Sequence, residues 1–207
     1  MPIARTVAIR NAHPRLRIPR GAVDQIISLL DEQFAMLPGD LPHLSLLRPR
    51  LQKLHSAFGI RCSTISSVCP PGELSLVFLT DPALARIHAD FMGDPTATDV
   101  ITFAGDPTAG LAGEICVSAD TAARFVGLPL VGKPRPGRRQ APALQSSFAA
   151  ELTLYVVHGW LHLAGYDDLR PAKKRRMRAA EKRAMTVLQQ AKAVPAFRLG
   201  VELRPID

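Results

Sequence analysis

The chain has 207 residues, a hydrophobic fraction of 47% and a formal net charge of +8. That length predicts one domain with a substantial core. The first 20 residues are rich in arginine and do not resemble a secretion signal, and the lack of a long apolar run predicts that no segment spans a membrane. Cys62, Cys69 and Cys116 are an odd number at spacings that form no disulfide framework, so we expect a reducing compartment and a cytoplasmic protein.

The first third of the chain contains one predicted strand and two predicted helices. Residues 6–9 are typical of a strand, and residues 23–36 carry apolar side chains at helical spacing between Gly21 and Pro38. Residues 44–58 predict a second helix, whose start is left open by two prolines. Residues 1–72 carry no motif that matches a known one closely.

The rest of the chain predicts three strands and three helices, with glycine and proline marking the turns between them. In chain order these are a strand over 74–79, a helix from Pro82 to the turn at Gly93, strands over 99–103 and 114–117, a loop over 126–142, and helices over 147–164 and 171–193. Together they indicate an α+β fold, with a small mixed sheet of about four strands packed against helices. We expect residues 1–72 to be an N-terminal extension of the same domain, 73–193 its core and 194–207 a C-terminal tail.

A three-ligand metal site is predicted by the run His158-Gly159-Trp160-Leu161-His162-Leu163-Ala164-Gly165-Tyr166-Asp167-Asp168. Histidines four apart on a helix point to the same side about one turn apart, so both can bind one ion. Gly165 can end the helix in the left-handed conformation and bring a carboxylate from Asp167 or Asp168 to that ion. Three protein ligands leave a position open for water, which is typical of a catalytic zinc site on a central helix.

The histidine pair alone has a simpler interpretation, as two partly buried and hydrogen-bonded side chains. The following glycine and aspartates favour the metal, because they complete an order of ligand, helix breaker and ligand. Metzincin proteases share this spacing, but they carry Glu directly after the first His as a general base. Gly159 stands at that position here and cannot move a proton, which argues against a protease.

The same run closely resembles the signature of the YbeY family, HGxLHLxGYDH, and departs from it only at Asp168. The resemblance extends over residues 73–190. Its other matching segments are 73–81, 98–103 (TDVITF), 113–115 (GEI), the pair 151–152, and Met177 with Glu181.

YbeY proteins are bacterial endoribonucleases that act in ribosomal RNA maturation. The resemblance therefore implies a metal-dependent hydrolase core over 73–193 that cuts single-stranded RNA in rRNA maturation and ribosome quality control. It implies one Zn²⁺ per chain, ribosomal RNA and the ribosome as partners, and neither a membrane nor an organic cofactor, and it leaves the oligomeric state open. The implied zinc ligands are His158, His162 and Asp168, and the candidate catalytic residues are these three with His88.

The chain departs from the family in two segments. Within residues 87–93 the family has Asn where this chain has His88, and a functionally important Arg where it has Met92. Asp168 replaces the third histidine of the family. His88 is either a polar residue near a helix end or a group that contacts the substrate or the metal-bound water. Loss of a cation at Met92 favours an alternative, a zinc-containing ribosome-assembly protein that binds RNA without cutting it. A metalloprotease-like zinc hydrolase is the other alternative.

Basic residues gather directly after the metal motif. Basic patches attract phosphate backbones by releasing counterions, although a charged helix is also explained as a solvated face. The position of this segment beside the third ligand favours RNA. Its eight basic residues, against the single acid Glu181, are Arg170, Lys173, Lys174, Arg175, Arg176, Arg178, Lys182 and Arg183. The predicted RNA-binding residues are Arg170, Lys173, Lys174, Arg175 and Arg178. A second cluster before the metal helix contains Lys133, Arg135, Arg138 and Arg139.

Overall fold

A computed structural model of the chain describes residues 5–34, 69–132, 142–200 and 202–203. The predicted helix over 44–58, Cys62 and the basic cluster over 133–139 lie outside the described residues. None of the described helices combines the length and the apolar composition needed to cross a membrane.

Eight strands and five α-helices are described. The strands are β1 (Thr6–Asn11), β2 (Leu16–Arg17), β3 (Glu73–Leu79), β4 (Val100–Ala104), β5 (Leu111–Ser118), β6 (Val131–Gly132), β7 (Arg198–Leu199) and β8 (Glu202–Leu203). The helices are α1 (Ala22–Gln33), α2 (Asp81–Met92), α3 (Ala119–Phe125), α4 (Pro142–Leu163) and α5 (Pro171–Gln190), with a short 3-10 helix at Pro107–Ala109.

Four strands form one mixed sheet in the order β1-β3-β5-β4. β3 runs parallel to both β1 and β5, whereas β4 runs antiparallel to β5. A parallel neighbour requires a crossover connection, and α1 and α2 lie on those two connections. The expected α+β fold with a sheet of about four strands is confirmed.

Side chains of the sheet alternate between two hydrophobic cores, one on each face. Leu74, Leu76 and Phe78 of β3 lie in the larger core with α1, α4 and α5, whereas Val77 and Leu79 lie in the smaller one with α2. This alternation has the period of two expected of a strand buried on both faces.

The central helix α4 packs against the sheet at a glycine. An ideal Cβ built on Gly159 would lie 2.4 Å from Cγ2 of Ile115 on β5, so only glycine allows this approach. Trp160, the next residue, is fully buried, and its indole N–H donates to Asp31 of α1 at 3.2 Å. The helix is therefore held between the sheet and α1, and this fixes the direction of the histidines on its last two turns.

Gly165 ends α4 as the sequence predicts. Its φ is +92°, its N–H donates to the His162 carbonyl at 2.9 Å, and the Tyr166 N–H donates to the Leu161 carbonyl at 3.0 Å. These two bonds form a Schellman motif, which favours glycine at the left-handed position. The chain reverses at this turn and brings Asp168 back toward the helix.

The structure differs from the predicted elements where an element is short or where its pairing partner is distant in the sequence. The predicted loop over 126–142 contains β6, which pairs with β8 some 70 residues later and so has no local signal. The helix α3 has only seven residues, too few for a helical period, and Ser118 caps it by accepting from the Thr121 N–H at 3.1 Å. α4 begins at Pro142, five residues before the predicted start, because proline is tolerated in a first turn.

The contact between Gly159 and Ile115 generates a stability prediction. We expect Gly159→Ala to lower the free energy of unfolding by about 1–2 kcal/mol, because overpacking against β5 exceeds the ~1 kcal/mol that alanine gains over glycine inside a helix. Urea unfolding measures the change in the free energy of unfolding. Ile115→Ala serves as the second arm of a double-mutant cycle, and the two changes together should cost less than their sum. A Gly159→Ala protein more stable than the wild type would contradict the packing.

Candidate active site

The structure brings His158, His162 and Asp168 together at the C-terminal end of α4. Their candidate ligand atoms all lie within 4.8 Å of one another. The two Nε2 atoms face each other at 2.9 Å, and Oδ1 of Asp168 lies 3.9 Å from Nε2 of His162. We call these three residues the three-ligand centre.

Both imidazole rings are oriented from behind by hydrogen bonds at Nδ1. His158 Nδ1–H donates to Glu181 Oε1 of α5 at 2.6 Å, and His162 Nδ1–H donates to the Tyr166 carbonyl at 3.1 Å. Carboxylate and carbonyl oxygens only accept, so each Nδ1 carries the proton and each Nε2 presents a lone pair to the centre. A metal-binding histidine commonly has such an arrangement, in which the partner on the far nitrogen sets the tautomer.

The pKa values of the two rings move in opposite directions. Burial disfavours the charged form of His158, but the hydrogen bond and negative charge of Glu181 outweigh it and raise its pKa above the ordinary value. Burial and the neighbouring His158 lower the pKa of His162. The directions differ because the Glu181 carboxylate contacts His158, whereas His162 lies beside a second imidazole.

The donor set fits a zinc ion. Two neutral imidazole nitrogens and one carboxylate are the ligand types and number of a catalytic zinc site that leaves a position open. At 2.9 Å the two Nε2 atoms need either a proton on one of them, which makes a hydrogen bond, or a metal cation that accepts both lone pairs. Asp168 in place of a third histidine preserves the number of ligands, because a carboxylate oxygen is itself a common zinc ligand.

Asp167, the alternative carboxylate, is engaged elsewhere. Its Oδ1 accepts from the Leu169 N–H at 2.8 Å, and its Oδ2 accepts from Lys173. The hydrogen bond from Lys173 lowers the pKa of Asp167. Asp167 thus stabilises the turn that places Asp168, while Asp168 faces the histidines.

A cavity of about 460 Å³ opens onto the centre on the side of His158 and Asp168. Three cations line it, Arg124 of α3 and Lys174 and Arg178 of α5, and we call it the charged cavity. It also contains carboxylates, among them Glu151, whose pKa is raised by burial and by the charges of Asp99 and Glu181. Phe125, 73% exposed, stands at its wall.

A second cavity of about 470 Å³ opens onto the centre from the other side, where His162 and Asp168 line it. Four of its other lining residues belong to the edge strand β4, and the rest are Pro70, Met92, Gly105, Ala112 of β5, Leu163 of α4 and Leu169. We call it the β4 cleft. No lysine or arginine is among its described lining residues.

The predicted RNA-binding residues are only partly brought together. Lys174 and Arg178 line the charged cavity. Arg170, directly before α5, and Lys173 and Arg175 on it are exposed and are not among the lining residues of either cavity. Lys173 pairs with Asp167.

His88, the fourth candidate catalytic residue, lies on α2 away from the three-ligand centre. Its Nδ1 is 3.0 Å from the Thr96 carbonyl, which places the ring across the turn that follows α2. It lines neither the charged cavity nor the β4 cleft. This position matches the interpretation of His88 as a polar group near a helix end.

Two functional features are missed by the sequence. Glu181 is noted there as a position that matches the family and as the one acid in a basic segment, but its contact with His158 is not predicted. Arg124 reaches the charged cavity because Asp81 pairs with it and Thr121 Oγ1 contacts its guanidinium at 3.0 Å. Asp81 also accepts from Ser118 and, at 2.7 Å, from the Thr121 hydroxyl. These contacts join residues about 40 apart, so no local pattern reveals them.

Comparison with known proteins identifies relatives of the chain. The family model described as Endoribonuclease YbeY matches residues 48–127 and 134–189. The Endoribonuclease YbeY of Rhizobium meliloti (strain 1021) is 31% identical over 171 residues, covering 78% of this chain and 93% of that protein. Those of Lysinibacillus sphaericus (strain C3-41) and Geobacter sulfurreducens are 32% and 33% identical, covering 71% and 75% of those proteins.

The family match includes the whole three-ligand centre and the charged cavity. It also begins upstream of residue 73, within the segment that carries no recognisable motif. The chain belongs to the endoribonuclease YbeY family.

Proposed function

We propose that this protein is a zinc-dependent endoribonuclease that cuts single-stranded RNA in ribosomal RNA maturation and ribosome quality control. One observation carries the proposal: two members of a three-residue group that could hold a metal ion, His158 and Asp168, line a cavity that also presents three cations, Arg124, Lys174 and Arg178. An endoribonuclease must hold a phosphodiester beside its catalytic centre, and these cations are the groups that attract phosphate oxygens.

The cations on the charged cavity would position the RNA backbone. Lys174 and Arg178 project from the exposed face of α5, where they can contact successive phosphates. Arg124 is held by Asp81 and Thr121, so its guanidinium loses little freedom when it binds. Phe125 offers an exposed aromatic face to a base of the same strand.

His158, His162 and Asp168 would hold the zinc ion. When bound there, zinc lowers the pKa of a water molecule and polarises a phosphoryl oxygen. Glu181 keeps the proton of His158 on Nδ1, and the Tyr166 carbonyl does the same for His162, so both Nε2 atoms remain available as ligands.

A peptide substrate is disfavoured by the packing of α4. In metzincins the residue after the first histidine supplies the general base. Here that residue is Gly159, and the space beside it is filled by Ile115 of β5. A glutamate at this position would have to displace the sheet.

The second candidate, a zinc-containing ribosome-assembly protein that binds RNA without cutting it, is favoured by Met92. That side chain lies on the β4 cleft, whose described lining carries no lysine or arginine. Incubation of the zinc-loaded protein with labelled ribosomal RNA and with casein separates the possibilities. Cleaved RNA supports the nuclease, intact but bound RNA supports the assembly protein, and cleaved casein supports a protease.

Zinc content tests the three-ligand centre. We expect the purified protein to hold about one zinc per chain, and His158→Ala or His162→Ala to lose the metal and RNA cleavage together, because two remaining ligands bind zinc poorly. Metal analysis by mass spectrometry measures this. His88→Ala is the matched control and should keep its zinc, while its cleavage rate shows whether His88 contributes to catalysis. Full zinc occupancy in both mutants of the centre would exclude it.

The contact between Glu181 and His158 generates a separate prediction. We expect Glu181→Gln to weaken zinc affinity by about 10- to 100-fold without unfolding the protein, because an amide accepts more weakly than a carboxylate and no longer raises the basicity of the imidazole. Competition with a zinc chelator measures the affinity. An unchanged affinity would mean that Glu181 only caps the exposed side of His158.

The charged cavity predicts that the effect of a charge change on RNA binding depends on its position along α5. Lys174→Glu with Arg178→Glu should weaken RNA binding and reduce its salt dependence, by about 0.7 in the slope for each phosphate that the protein no longer neutralises. Arg176→Glu with Lys182→Glu makes the same charge change at exposed positions outside the cavity and should have a smaller effect. Filter binding over a range of salt concentrations measures both. Equal effects of the two pairs would indicate attraction to the whole helix instead of a site.

A further inference from the structure

The β4 cleft differs in chemistry from the charged cavity, although both open onto the three-ligand centre. His162 and Asp168 are its only ionisable lining residues among those described, and both belong to the centre itself. Apart from the centre itself, a phosphate in the cleft would meet no lysine or arginine among the described lining residues. Its apolar walls are instead suited to a flat, weakly polar group.

One wall of the cleft is the edge of the central sheet. β4 pairs only with β5 among the described strands. At one end Ser118 N–H donates to the Asp99 carbonyl at 2.8 Å, and at the other Gly105 N–H donates to the Ala112 carbonyl at 3.2 Å. Because backbone groups alternate along an antiparallel strand, those of Val100, Thr102 and Ala104 point away from β5.

These outward groups are largely unused. Asp99 Oδ1 accepts from the Val100 N–H at 2.9 Å, but no described side chain or loop bonds to the outward groups of Thr102 and Ala104. Both residues line the cleft. Thr102 Oγ1 is also shielded from solvent and has no hydrogen-bond partner in the described part of the chain. An edge of alternating donors and acceptors therefore faces a cavity that ends at the catalytic centre.

Exposed apolar side chains border the same cleft. Leu169 is 90% exposed and Met92 is 61% exposed. Large apolar side chains in such positions commonly mark a binding surface, and a thioether makes favourable contacts with aromatic rings.

We propose that the β4 cleft is a nucleobase subsite, which holds the base of the nucleotide next to the scissile phosphodiester. Leu169 and Met92 contact the faces of the base, and the free N–H and C=O groups of Thr102 and Ala104 bond to its edge. The RNA backbone then runs from the charged cavity across the three-ligand centre, with one base turned into the cleft. This assignment rests on the proposed function, because it deepens the substrate recognition of the same centre.

The test scans a single abasic nucleotide through a labelled single-stranded RNA that the zinc-loaded protein cuts. For the wild type we expect one position, adjacent to the cleavage site, at which loss of the base lowers kcat/KM about tenfold, since stacking of one base contributes a factor of this size. In Leu169→Ala the intact RNA should be cut about tenfold more slowly, while the abasic RNA at that position should be cut as by the wild type.

A second variant tests the edge of β4 independently. Ala104→Pro removes an N–H that points away from β5, and proline is tolerated on an edge strand at such a position. Ala104→Pro should also reduce the abasic penalty, that is, the loss of kcat/KM that follows removal of the base. Leu111→Ala is the matched control for Leu169→Ala, because Leu111 is an exposed leucine that lines neither cavity at the centre. Its abasic profile should equal that of the wild type.

Each outcome separates the subsite from the proposed function. RNA cleavage with the same rate at every abasic position would overturn the subsite and leave the nuclease standing. An abasic penalty that is unchanged in both Leu169→Ala and Ala104→Pro would overturn the placement of the base in this cleft. Casein cleavage without RNA cleavage would overturn both proposals, since the open edge of β4 would then hold a peptide as an added strand.

Discussion

Two imidazole nitrogens face each other 2.9 Å apart at the end of α4, and the rest of the site depends on this arrangement. Each ring has its proton on the far nitrogen, where Glu181 or the Tyr166 carbonyl accepts it. Two lone pairs this close repel each other unless a proton or a metal cation binds there. Glu181, the one acid in the otherwise basic helix α5, orients His158 by accepting the proton of its Nδ1.

The scaffold meets this requirement through close packing. Gly159 allows α4 to lie directly on Ile115, and Trp160 on the other side reaches Asp31 of α1. Clamped between the sheet and α1, the helix places both histidines on the side that faces α5 and the following turn. The Schellman motif at Gly165 then provides two components at once, the Tyr166 carbonyl behind His162 and the reversal that returns Asp168.

The centre divides its surroundings into two regions of different chemistry. On the side of His158 lie Arg124, Lys174 and Arg178, and on the side of His162 lie Met92 and the edge of β4. An RNA strand has the same division, with charged phosphates along its backbone and flat bases beside it. Under the proposed function, the β4 cleft, which has no lysine or arginine among its described lining residues, would take a base while the charged cavity takes the phosphates.

The sequence by itself determined the family and the candidate ligands, because both depend on local spacing. His158, His162 and Asp168 are joined by one helical turn and one glycine reversal, and that geometry follows from residues within eleven positions of each other. Only the tertiary structure decided which groups surround them. Glu181 and Arg124 reach the site by packing of α5 and α3 against α4, and the exposed edge of β4 results from the strand order of the sheet. Contacts between distant segments leave no periodic signal in a chain, so the division between a charged and an apolar side of the centre appears only when the fold is complete.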